Sequence, residues 1–185
     1  MAASKEVPEV LDLLIKAGAN VHHKSTDKIS PLHVSASRGL LYNVKMLITA
    51  GAHVDTVDSS DRTPLFMAVS RGHANVVRYL IDHGAKVNME EIHGYTPLYE
   101  AVWQKNTKIV KMLLEAGAKI TQSHHLLHYA VLHRHEEMVR LLISAGSIIN
   151  LRDDNGDTPL IVAAKTQQSR IARLLLENGM NNLLT

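Results

Sequence analysis

The chain has 185 residues, 20 Lys and Arg against 18 Asp and Glu for a formal charge of +2, 45% hydrophobic residues and no cysteine. The missing cysteine excludes a disulfide framework and a thiolate metal site, and charges of both signs interspersed without a basic stripe argue against nucleic acid as a primary partner. No apolar run reaches the roughly 18 residues of a membrane span and no signal peptide is visible at Met1, so a soluble intracellular protein, cytoplasmic or nuclear, with no direct membrane insertion is expected.

Gly18, Gly51, Gly84, Gly117, Gly146 and Gly179 recur at intervals of 33, 33, 33, 29 and 33 residues, each after a Leu/Ile-rich stretch with helical periodicity. A period near 33 marks a solenoid of stacked helix pairs. The copies run over residues 1–24 (partial), 25–57, 58–90, 91–119, 120–152 (with a short finger) and 153–185, a single repeat domain without a linker. The first lacks its entry, because Ala2-Ala3-Ser4-Lys5 aligns with the inside of a first helix. Further repeats in a parent protein, or a partner covering an end, are therefore expected.

In the second copy Ser30-Pro31-Leu32-His33 opens a helix, since Ser is a good N-cap and Pro is preorganised for the first turn; Arg38-Gly39 marks the turn to the next helix. Lys28 stands where a glycine would ease the finger turn, as does Asp61 in the third copy, and Lys tolerates left-handed geometry the less well. The third copy opens at Thr63-Pro64-Leu65-Phe66 and turns at Arg71-Gly72-His73. Leu65, Ala68 and Val69 share one helix face there, and Val76, Val77, Leu80 and Ile81 form the apolar stripe of the second helix. The fourth opens at Thr96-Pro97-Leu98-Tyr99. The fifth keeps the register without Pro at His125-Leu126-Leu127-His128, and four residues are missing from Lys119 to His124, where the finger belongs. The sixth opens at Thr158-Pro159-Leu160-Ile161. In every copy the periodic Gly is expected to supply the left-handed residue that stops the second helix. Leu174, Leu175, Leu183 and Leu184 give the end no obvious polar cap.

These residues resemble the ankyrin repeat family over essentially the whole chain, most closely at Gly84-Ala85-Lys86-Val87-Asn88, at Thr96-Pro97-Leu98 with Ala101, and from Asp153 to Leu160. The resemblance implies an all-α ankyrin-repeat solenoid of helix-turn-helix units with short β-hairpin fingers, whose fingers and first helices line a concave groove that binds a partner protein or peptide. The groove positions become Ser37 and Arg38, Ser70 and Arg71, Trp103 and Gln104, Leu132 and His133, Lys165 and Thr166. Finger tips add Asp27 and Ile29, Ser60 and Arg62, His93 and Tyr95, Asn155 and Asp157. The resemblance also places Asn88 and Asn150 at the position modified by the asparaginyl hydroxylase that acts on hypoxia-inducible factor; capping of the turn is their plain alternative role.

What the repeat does not require is the functional signal. Trp103 is the single Trp, and Trp, Tyr and Arg are the usual interface anchors; the alternative is packing between repeats. Arg62, Ser70, Arg71, His93, Tyr95, Gln104, Leu132 and His133 complete the expected partner surface. Glu100 stands where the other copies hold Val34, Met67, Tyr129 and Val162, so it either reads a basic ligand side chain or pairs with Arg71 or a nearby His. The short finger leaves a notch expected beside Trp103 and Tyr95, open to a bulky side chain or simply a tolerated deletion.

Twelve His are present, yet His33 and His128 fill the T-P-L-H site, where the ring can bridge backbone groups of adjacent fingers, and His73 and His135 fill the G-H turn, so no metal and no cofactor are expected. No catalytic nucleophile, phosphate loop or carboxylate pair stands out. The expected function is therefore non-enzymatic partner binding. Two alternatives are a spacer segment of a longer ankyrin scaffold or channel, and the substrate-recognition part of a ubiquitin-ligase adaptor whose cullin-recruiting box lies elsewhere.

Overall fold

The computed structural model describes the backbone of residues 8–181 and the side chains of residues 10–179; Ala2 to Lys5, Leu183 and Leu184 lie outside the described residues. Eleven α-helices and no strand occur among them, an all-α repeat solenoid. The chain divides into two compact units, Met1–Glu100 and Ala101–Thr185.

In the first unit α1 spans Pro8–Lys16, α2 Pro31–Ser37, α3 Leu41–Thr49, α4 Pro64–Ser70 and α5 Ala74–Asp82, and α6 (Pro97–Trp103) begins. Helices of seven and nine residues alternate, too short to persist alone, so their apolar faces must pack on one another. Accordingly α2 packs on α3 and α4, α4 on α5, α3 on α5 and α1 on α3. Leu32, Val44, Leu65, Ala68, Val69, Val77 and Leu80 are completely buried, and each buried Leu contributes about 2 kcal/mol of transfer free energy. The second unit repeats the pattern with α7 (Thr107–Glu115), a 3₁₀ turn at Gln122–His124, α8 (Leu126–Leu132), α9 (Glu136–Ser144), α10 (Pro159–Lys165) and α11 (Ser169–Asn181). There α8 packs on α9 and α10, α11 on α9 and α10, and α7 on α9.

The helix starts have the expected cause. Ser30, Thr63, Thr96 and Thr158 each accept a hydrogen bond from the backbone N–H three residues on, at 3.3, 3.1, 3.1 and 3.3 Å. Asn106 caps α7 in the same way, accepting from Ile109 N–H at 3.1 Å.

The fingers are turns closed by two backbone bonds each: Ser25 N–H to Ile29, Asp58 to Arg62, Glu91 to Tyr95 and Asp153 to Asp157, with Lys28, Asp61, Gly94 and Gly156 N–H bonding back to Ser25, Asp58, Glu91 and Asp153, too short a pairing to form strands. Lys28 and Asp61 both take the left-handed conformation, φ 56° and 57°, so Lys28 makes its turn despite a steric cost of about 1–2 kcal/mol. Left-handed Lys105, Arg134 and Gln167, each at φ 57°, turn the chain between two helices where other copies use Gly39 and Gly72.

One helix stop departs from expectation. Gly179 lies inside α11, which continues to Asn181, whereas the five preceding periodic glycines all have φ between 80° and 91°. In those five copies a small residue, Ala19, Ala52, Ala85, Ala118 or Ser147, follows the glycine and donates its N–H back to the carbonyl five residues earlier. Met180 takes that place in the last copy, and the helix runs on.

Candidate functional site

Each finger is built around an acceptor side chain. Asp58 Oδ1 accepts from Ser60 and Arg62 N–H at 2.9 and 3.0 Å, Glu91 Oε1 from His93 and Tyr95 N–H at 2.8 and 3.2 Å, and Asp153 Oδ1 from Asn155 and Asp157 N–H, both at 2.9 Å. This assigns Arg62 to the scaffold as well as to the tip: its guanidinium pairs with Asp58 Oδ2 at 2.7 Å, and the Asp58 side chain is only 1% exposed. Burial alone would raise the Asp58 carboxyl, but hydrogen bonds from the Arg62 guanidinium and from the Arg62 and Ser60 N–H outweigh it and hold the group below the ordinary carboxylate value. Asp153, on the surface, is likewise lowered against its desolvation by the two finger N–H groups.

His33 is completely buried and uses both ring nitrogens. Its Nδ1 accepts from Ser30 N–H at 3.2 Å and lies 2.8 Å from Ser30 Oγ; its Nε2–H then donates to the Arg62 carbonyl at 2.9 Å. The ring thus ties the start of α2 to the next finger, and burial lowers its pKa below the ordinary imidazole value. His73 Nε2 likewise bonds the Ser37 carbonyl at 3.0 Å. Its ring fills the space over Gly39, where an added Cβ would stand 2.5 Å from Nδ1.

The remaining first-unit candidates form no single cluster. Ser70 Oγ donates to Met67 within its own helix at 3.1 Å, and Arg71 is exposed at the C-cap of α4. Tyr95 is exposed and stacks on Tyr99 with ring centroids 4.1 Å apart and planes 12° from parallel; His93 lies 6.5 Å from Tyr95. Glu100 is half-buried, at a position where Val34 is exposed and Val162 is buried.

The second unit brings its candidates together. Trp103 is 53% exposed and Leu132 54%; Gln104 and His133 are exposed as well. Trp103 stacks on Tyr129 at 4.7 Å, and Tyr129 on His133 at 4.1 Å. Tyr129 Oη–H donates to the Trp103 carbonyl at 2.9 Å. Burial raises the Tyr129 phenol pKa, while desolvation, with Lys105 adding repulsion, lowers that of His133. Trp103 therefore combines both sequence alternatives, with one face packed on the next repeat and the other open. Sequence reasoning assigned no binding role to Tyr129 or Tyr99, because their ring contacts to Trp103 and Tyr95 are made by the fold and do not follow from the repeat pattern.

The shortened finger opens a cavity, but not beside Trp103 or Tyr95: it is lined by residues of 120–128 and 146–151. Asn88 and Asn150 are both exposed. No helix of the described residues is long and apolar enough to cross a membrane.

A family model described as ankyrin repeats (3 copies) matches residues 1–91, 42–124 and 121–185. An ankyrin repeat protein of fowlpox virus (strain NVSL) is 36% identical over 63 residues, a stretch covering 31% of this chain and 14% of the viral protein's length.

Proposed function

Because this chain belongs to the ankyrin repeat family, whose members are generally protein-interaction modules and generally not enzymes, we propose that it captures a partner protein or peptide on the groove side of its repeats, without catalysis of its own and inside the cell. The observation that carries this reading is the half-exposed stack of Trp103, Tyr129 and His133, flanked by exposed Leu132. Stacking holds the rings in one orientation before a ligand arrives, so little side-chain entropy remains to be lost on binding. Aromatic residues held this way are the usual anchors of an interface. Tyr95 with Tyr99, Arg71 and Glu100 supply aromatic and charged contacts in the first unit, and Arg62, Ser70, His93 and Gln104 supply polar ones.

A peptide-display selection on the full chain tests this. Enriched peptides should lose binding to Trp103→Ala while the variant keeps its fold; unchanged binding would refute the reading. A second reading, a segment of a longer repeat stack, is favoured by α1, which leaves Val10, Leu13 and Leu14 exposed. Leu13→Glu with Leu14→Glu should remove association under that reading and leave peptide capture intact under the first. Exposed Asn88 and Asn150 are proposed hydroxylation sites, for which mass spectrometry of the protein from cells is the direct check.

A further inference from the structure

Copies two and five place a histidine at the same point of the repeat, and only one of the two is satisfied. His33 gives its Nδ1 to Ser30. His128, 6% exposed, bonds through Nε2 to the Asp157 carbonyl at 2.9 Å, while its Nδ1 is buried without a partner. A carbonyl only accepts, so the neutral ring carries its proton on Nε2 and leaves the Nδ1 lone pair buried without a partner. The residue in the place of Ser30 is His125, left-handed at φ 44° and without a capping bond; its ring meets His128 edge-on at 5.3 Å. His125 Nδ1 and Ser147 Oγ are also buried and unpartnered.

All three residues line one cavity of about 190 Å³. A single water needs roughly 10–15 Å³ of such space, and a cavity of about 150 Å³ holds a benzene-sized ring. The remaining walls are aliphatic at Ile120, Leu126, Leu127, Ile148 and Leu151 and polar at Thr121 and Gln122, so the space offers both an apolar face and polar groups. No carboxylate lines it; Asp154 lies outside, 3.8 Å from His125 Nε2. Nor do three His, Asp or Glu gather as a metal-holding group among the described residues.

We propose that this cavity is a second ligand site, separate from the aromatic stack, for a neutral hydrogen-bond donor carried on one apolar ring: a phenol, free or as a tyrosyl side chain. The phenolic O–H donates to His128 Nδ1, Ser147 Oγ–H donates to the phenol oxygen, and the aliphatic walls cover the ring. The ligand hydroxyl thereby takes the role that Ser30 plays for His33.

The test is a titration of 4-methylphenol into the full chain, followed by the imidazole C–H resonances in NMR. Saturable shifts of His125 and His128, with His33 unmoved, are expected, and an affinity about tenfold above that of toluene, which lacks the donor. Ser147→Leu fills the cavity while keeping both rings and should abolish the shifts; Ser147→Ala, a milder change, should weaken binding several-fold. Absence of shifts in the wild type would overturn the site, leaving a cavity that holds only water. Equal affinity for toluene would overturn the donor assignment, and stoichiometric zinc binding that requires both histidines would replace it with a metal. Competition by N-acetyltyrosinamide assigns the site to a partner's tyrosine, and its failure to compete assigns it to a free phenol; both outcomes uphold the proposal.

Discussion

The start of α2 and the start of α8 occupy the same place in the repeat and differ in what surrounds the histidine four residues into each motif. In copy two a serine cap, a full finger and the next finger's carbonyl use every polar atom of His33. In copy five the cap is a left-handed histidine, the finger is a 3₁₀ turn, and His128 keeps one bond and one bare nitrogen. The helix pair forms in both, since α8 and α9 still bury Leu127, Ala130, Val131, Val139 and Leu142. Helix packing is thus the part of the repeat that folding needs, and the finger is the part it can give up.

The largest effect should come from His33→Ala, which leaves Ser30 N–H without its partner and takes from the Arg62 carbonyl one of its two hydrogen bonds. A loss of about 3 kcal/mol is expected in urea unfolding. His128→Ala only takes from the Asp157 carbonyl one of its two hydrogen bonds and should cost about half as much. Equal losses would break the comparison.

Trp103→Ala tests the copy-five side from its exposed face. Partner affinity should fall by about 2 kcal/mol or more, with folding stability changed by no more than about 1 kcal/mol because half the ring is already in solvent. Tyr129→Ala should weaken binding too, by removing the stack's middle ring.

Acidification should act first on copy two. The His33 pKa is lowered by burial, so the unfolded chain binds its proton at a higher pH than the folded one. Stability then rises with pH in that window and falls as pH drops below the ordinary imidazole value of about 6.5. His33→Gln should flatten this part of the melting-temperature profile. Asp58 is lowered as well, so its contribution, present above the ordinary carboxylate value, is lost only at still lower pH. His133 has a shift of the same sign, but on an exposed ring solvent screens it.

The smallest effect separates two glycines. Gly39→Ala should cost more than Gly84→Ala, because the new methyl at Gly39 meets the His73 ring at 2.5 Å while that at Gly84 meets nothing within 4 Å. Both have positive φ and share the left-handed penalty of about 1–2 kcal/mol. The difference is read from two melting curves.

By itself the sequence determined the helix pairs, their capped starts, five of the six helix stops and the register of copy five. Those features depend on contacts within a few residues or on apolar periodicity, both visible along a single chain. Only the tertiary structure decided which polar atoms find partners, because His33 and Arg62 meet across 29 residues and Trp103 and Tyr129 across 26. It also decided that Gly179 is helical, since glycine permits a left-handed stop but does not impose one, and that the short finger opens beside His128 and Ser147. Spacing shows that four residues are absent; only packing shows which buried atoms their absence leaves bare.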